Sequence, residues 1–217
     1  MIDYRIVEPW PDVFLVLVPD DYDRAMLFLR AQTCYESPSA RFRGRPFDLW
    51  DYVKYYTQEH GSFSYARDWR GFNLPYTAAR DCYAALPQRY VTKYDRAFQR
   101  LLGDLGARVE RPRRAYIVSV DREGSRTAQH ELYHARYFTD RAYRARANAL
   151  LDALPAPLVA QLRRNLLALG YVDDDRILRD ELQAFLQALN SRRFARGLDW
   201  RRVRTVGRQF REAMQAD

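Results

Sequence analysis

Between Ala115 and Phe138 the chain reads AYIVSVDREGSRTAQHELYHARYF, and a change of period inside this stretch decides how the molecule is built. Ala115 to Val120 is a short run of apolar and β-branched residues, the pattern of a buried strand. Asp121 to Gly124 interrupt it with turn chemistry. From Ser125, which offers an N-cap side chain, apolar residues recur at helical spacing: Ala128, Leu132, Ala135 and Phe138. No proline crosses this second segment. A strand followed by an amphipathic helix predicts an α+β arrangement at this point of the chain.

Towards the N-terminus, Val13 to Val18 lies between Pro11 and Pro19 and reads as a second buried strand. Asp20 and Asp21 supply capping chemistry for a helix through Arg24 to Arg30, broken at Ser37-Pro38-Ser39. A further helix is expected from Phe47 to His60, stopped by Gly61. Phe63 to Pro75 is aromatic and carries Gly71, Asn73 and Pro75, so a compact loop is expected there, folded over the core or forming a cleft wall. Helices follow at about 77–86 and 93–105, and Gly103, Gly106 and Pro112 suggest a boundary near residues 106–113. Towards the C-terminus, helices are expected at about 140–154, 157–169, 175–189 and 199–214, with Gly170 as a stop. The expectation is an α+β, mainly helical fold: a mixed region 1–110 and a mainly helical region 111–217, packed as one compact unit.

The 217 residues suffice for a real core, and 47% hydrophobic with 29% charged residues excludes a disordered chain. Sixteen tyrosines suggest a well-filled core with an aromatic-lined cleft or interface. The first apolar run has six residues, no basic segment precedes it, and no stretch approaches a membrane span; a cytoplasmic location is expected. Cys34 and Cys82 are expected to be buried thiols. The formal net charge is +8, with Lys54 and Lys93 the only lysines among 36 basic residues. The arginines, including Arg192, Arg193, Arg196, Arg201, Arg202, Arg204 and Arg208 near the C-terminus, are scattered over amphipathic segments, which fits a solvated surface better than a nucleic-acid patch.

The chemistry concentrates in His130-Glu131-Leu132-Tyr133-His134. The chain has three histidines, and two of them stand four residues apart in the expected helix. Residues at that spacing share a face, so both imidazoles can reach one metal ion. Glu131 projects roughly 100° further round the helix and can act as a general base on water near that ion. His60, before Gly61, reads as a helix-terminal cation suited to the helix dipole.

This HExxH pattern, preceded by a strand, resembles the zincin metallopeptidases over residues 115–190. The resemblance implies a zincin-like fold with a short sheet before the motif helix, Zn2+ held by His130 and His134, and Glu131 as the catalytic base. It also implies that Ala115 to Val120 lies along the substrate cleft and pairs with extended peptide. A third ligand is required. Glu181, bordering the apolar face of Leu178, Leu182, Phe185, Leu186 and Leu189, makes the chain similar to the gluzincins. Asp180 beside it is left for an orienting or a surface role, and Phe185 stands where some of those families carry a second carboxylate. Asp140 is the competing ligand, six residues after His134 as in metzincin-like patterns, but Tyr137 replaces the glycine that such patterns need, and Asp140 also reads as a helix N-cap. Tyr133, Tyr137 and Tyr171 are potential oxyanion donors.

The function expected is zinc-dependent hydrolysis of a peptide or other amide, with a peptide or protein as substrate. The alternatives are a non-catalytic zinc-containing module that binds a protein partner, and an arginine-rich nucleic-acid binder. The oligomeric state is not legible.

Overall fold

The structure is a computed structural model in which residues 2–189 and 191–215 are described. It is mixed α+β, with a small sheet and a majority of helix. The chain divides into two compact units, Met1–Glu123 and Gly124–Asp217. The division falls after Glu123.

The reason for this boundary lies in the sheet. Strands β1 (Arg5–Trp10) and β2 (Val13–Leu17) form an antiparallel hairpin. Asp12 takes the left-handed conformation in its turn, φ 63°, and its carboxylate accepts from the backbone N–H groups of Glu110 and Arg111 at 2.9 and 3.1 Å. Strand β3 (Phe72–Pro75) and strand β4 (Tyr116–Val120) complete the order β1-β2-β4-β3, with β4 parallel to β2 and antiparallel to β3. Residues 116–120 are thus bonded on both sides to the N-terminal half and belong to it.

This topology corrects two expectations. Phe63 to Pro75 is not an irregular loop: it holds a short helix, Tyr65–Asp68, and then β3. Phe72 and Leu74 alternate with the less buried Asn73, and that period of two outweighs the turn residues. Pro75 is tolerated because β3 is an edge strand. Secondly, β4 is interior. Both its hydrogen-bonding edges are used, so it cannot pair with an extended peptide by strand addition.

In the first unit, helices α1 (Asp21–Glu36), α2 (Leu49–His60), α3 (Tyr65–Asp68), α4 (Tyr76–Ala84) and α5 (Lys93–Gly106) accompany the sheet. Asp20 caps α1, Asp48 caps α2, and Thr92 and Asp95 form a capping box on α5. Helix α1 packs against α3, α4, α5 and β3, which buries its residues from Arg24 to Cys34. Cys34 and Cys82 are buried and form no disulfide; their thiols are hydrogen-bonded to each other. No described helix is long and apolar enough to cross a membrane.

The second unit is helical: α6 (Arg126–Thr139), α7 (Arg141–Asp152), α8 (Ala156–Ala168), α9 (Asp175–Ala188) and α10 (Trp200–Gln215). Ser125, Asp140 and Asp174 cap α6, α7 and α9 with their side chains. Gly170, φ 97°, ends the turn after α8. Helix α9 is central, in contact with α6, α7, α8 and α10. Every residue from Leu182 to Ala188 is accordingly buried; each large apolar side chain among them contributes about 1.5–3 kcal/mol of burial. Gly207 of α10 lies so close to α9 that a Cβ there would stand 2.5 Å from the Leu186 carbonyl oxygen.

Candidate metal centre

Helices α6 and α9 build the site within the second unit. The Ser125 hydroxyl accepts from the Ala128 N–H at 3.0 Å and starts α6, which places His130 and His134 one turn apart on one face. The Asp174 cap starts α9 and brings Asp180 and Glu181 to its second turn. The Nε2 atoms of His130 and His134 stand 3.2 Å apart. Glu181 faces both: Oε2 is 3.7 Å from His130 Nε2 and Oε1 is 3.6 Å from His134 Nε2. Among the described residues, these three form the one group of His, Cys, Asp or Glu side chains able to hold a metal ion.

The spacing can be tested against the chemistry of the ion. Ligand atoms about 2.0–2.1 Å from a tetrahedral Zn2+ are about 3.3 Å from one another. The two imidazole nitrogens match that spacing at 3.2 Å, and Glu181 offers a different oxygen to each, at 3.6 and 3.7 Å, with one ligand atom from each of the three residues lying within 4.8 Å of the others. A second sign is that Glu181 Oε2 is buried without a hydrogen-bond partner. Buried carboxylate oxygens are seldom left so in a closed structural cluster, whereas a metal ligand needs that lone pair.

The electrostatics agree. Burial opposes charge on His134, but the carboxylates of Asp180 and Glu181, with a further contribution from Glu131, outweigh it and hold the imidazole pKa well above its ordinary value. Burial likewise favours the neutral form of Glu181, but His134 and His130 outweigh it and hold that carboxyl below its usual range, assisted by a hydrogen bond from Tyr171. The imidazole and the carboxylates thus favour one another's charged forms.

The two histidines are held unequally. His134 Nδ1 lies 2.8 Å from Asp180 Oδ1, the contact by which a carboxylate orients a metal-ligating imidazole. His130 Nδ1 is buried with no hydrogen-bond partner; its ring rests instead on Phe185, centroids 4.6 Å apart. The apolar residue standing where some gluzincin-like patterns carry a carboxylate is thus what supports His130.

Of the expected site residues, the structure brings together His130, His134 and Glu181, with Glu131 buried on the same helix. Asp140 takes no part in this group: its Oδ1 accepts from the Tyr143 N–H at 3.0 Å as the cap of α7. Tyr171 bonds Glu181, whereas the Tyr137 hydroxyl donates to Asn148 at 2.9 Å. His60 is at the end of α2, its ring against Tyr56. Two residues that sequence reasoning passed over, Gln183 and Gln187, stand behind Asp180. The signal available was two amides four residues apart, interleaved with Leu182 and Leu186 in a helix otherwise apolar on that side. Compared with known proteins, the chain matches no family model, and no curated protein and no solved structure matches it at a significant level.

Proposed function

We propose that this protein is a zincin-like, zinc-dependent hydrolase of peptides or other amides, with His130, His134 and Glu181 as ligands. The observation that carries the reading is the convergence of these three side chains, with ligand atoms within 4.8 Å of one another and Glu181 Oε2 left without a hydrogen bond. Zinc bound there would supply Lewis-acid polarisation of water and of the scissile carbonyl. Glu131, next to His130 and close enough to His134 to influence its charge, is the base that takes the proton from the attacking water and returns it to the leaving amine. Asp180 keeps the His134 ring in place. Tyr171, which hydrogen-bonds Glu181, is the candidate hydroxyl donor to the developing oxyanion.

The burial of the ligand side chains, 7% exposed for His130, 3% for His134 and 13% for Glu181, favours a second reading in which zinc joins α6 to α9 without catalysis. One experiment separates the two. Purified protein is analysed for bound metal and assayed on a mixed peptide library, beside Glu131→Gln. Catalysis requires that the variant keep one zinc per chain while its turnover falls about 10²–10⁴-fold. Stoichiometric zinc with no turnover in either protein supports the structural reading, and no zinc in the wild type refutes both.

A further inference from the structure

Behind Asp180 runs a chain of buried polar groups. Gln183 is 0% exposed, Gln187 2% and Tyr143 4%. Two amides and a phenol in a helical core are costly unless their donors and acceptors are matched. Here they are matched to one another and to the metal centre. The Gln187 amide donates to the Tyr143 hydroxyl at 2.6 Å and to Gln183 Oε1 at 2.7 Å. The Tyr143 hydroxyl donates to Gln183 Oε1 at 3.0 Å. The Gln183 amide nitrogen then donates to Asp180 Oδ1 at 3.0 Å and to the Tyr133 carbonyl at 3.3 Å.

The direction of these bonds matters more than their number. Gln183 Oε1 is occupied by two donors, so the amide cannot turn over without losing both. Its N–H groups are thereby aimed at Asp180 and at the α6 backbone one residue before His134. Asp180 Oδ1 receives the Gln183 N–H and the His134 Nδ1–H, and it serves both as an acceptor. With a proton fixed on Nδ1, His134 binds a metal through the Nε2 lone pair. His130 has no comparable support at its own Nδ1.

We infer that Gln183, locked by Tyr143 and Gln187, is a positioning residue: it holds Asp180 on His134 and so sets the tautomer and aim of that imidazole, and with them the affinity of the site for its metal. The inference rests on the metal reading above. A purely structural polar core would need the same matching, but its loss would not be felt at the metal.

The test is competition titration of the metal-free full chain with Zn2+ against a chromophoric chelator, together with the visible absorption of the Co2+-loaded protein. The variants are Gln183→Leu, Tyr143→Phe and, as a control, Asn165→Ala. Asn165 is a buried amide elsewhere in the second unit, bonded to the carbonyls of Phe194 and Arg196. Gln183→Leu is expected to weaken Zn2+ binding about 10–100-fold and to change the Co2+ spectrum, Tyr143→Phe to weaken binding by a smaller factor, and Asn165→Ala to lower stability with unchanged affinity. Zn2+ affinity within about two-fold of wild type in a folded Gln183→Leu would overturn the inference while leaving the metal reading intact. Where Gln183→Leu does not fold, unchanged affinity in Tyr143→Phe overturns it. A wild type that takes up no Zn2+, or a His134→Ala protein that binds it equally well, overturns the metal reading and this one with it.

Discussion

In the first unit Arg30 and Asp95 meet in the core with their polar atoms engaged; in the second His130, His134 and Glu181 meet with two atoms left over. Arg30 is 2% exposed and bonds Asp95 through Nε at 2.6 Å and Nη2 at 3.1 Å, with the carbonyl of Phe47 accepting from Nη1 and that of Tyr90 from Nη2. Asp95 accepts in addition from Thr92 and from the Tyr83 hydroxyl. Burial alone would favour its neutral form, but the Arg30 guanidinium and these donors hold its pKa below the ordinary value. The cluster is closed: every partner comes from the chain. In the second unit His130 Nδ1 and Glu181 Oε2 have no hydrogen-bond partner although both are buried. Neutralising buried charge is common to both clusters. Only the second leaves a lone pair where three side chains converge that could hold a metal ion.

The two clusters are expected to respond oppositely to mutation. The largest effect is expected at the closed one. Arg30→Met leaves Asp95 buried and uncompensated and should lower unfolding free energy by about 3–5 kcal/mol in urea titration, with or without zinc. A loss below about 1 kcal/mol would mean that the pair is incidental.

Next in size is the response of the open cluster to its ion. Zn2+ at about 100 times its dissociation constant should stabilise the wild type by about 2.7 kcal/mol, and His134→Ala should abolish this gain. Equal thermal shifts in the two proteins would show that zinc binds elsewhere. The smallest effect sharpens the comparison most. In chelator, His130→Phe should change stability by no more than about 1 kcal/mol, because it keeps an aromatic ring against Phe185 and deletes the orphaned Nδ1, which offsets the loss of the Nε2 that faces His134 and Glu181. A clear loss of stability in the metal-free protein would show that the second cluster is as structural as the first.

Local physics is legible in the sequence alone. Val13 to Leu17 and Tyr116 to Val120 are strands because short β-branched runs between turn residues have few other solutions, and the helix starts follow Asp20, Ser125 and Asp140, whose side chains accept from the next turn. The facing of His130 and His134 needs only the helical repeat. Their third partner was legible as a choice between two carboxylates, Glu181 and Asp140, each with a plausible spacing. Tertiary structure decided it, because Asp140 is spent on a cap three residues away whereas Glu181 reaches the histidines through the packing of α9 on α6. Strand β3, the interior place of β4 and the boundary after Glu123 depend on pairing between residues some forty to a hundred positions apart, which no local period encodes. The same holds for Gln183, Gln187 and Tyr143: along the chain they are two amides and a phenol, and only the folded core, by removing water, turns them into one directed set of hydrogen bonds.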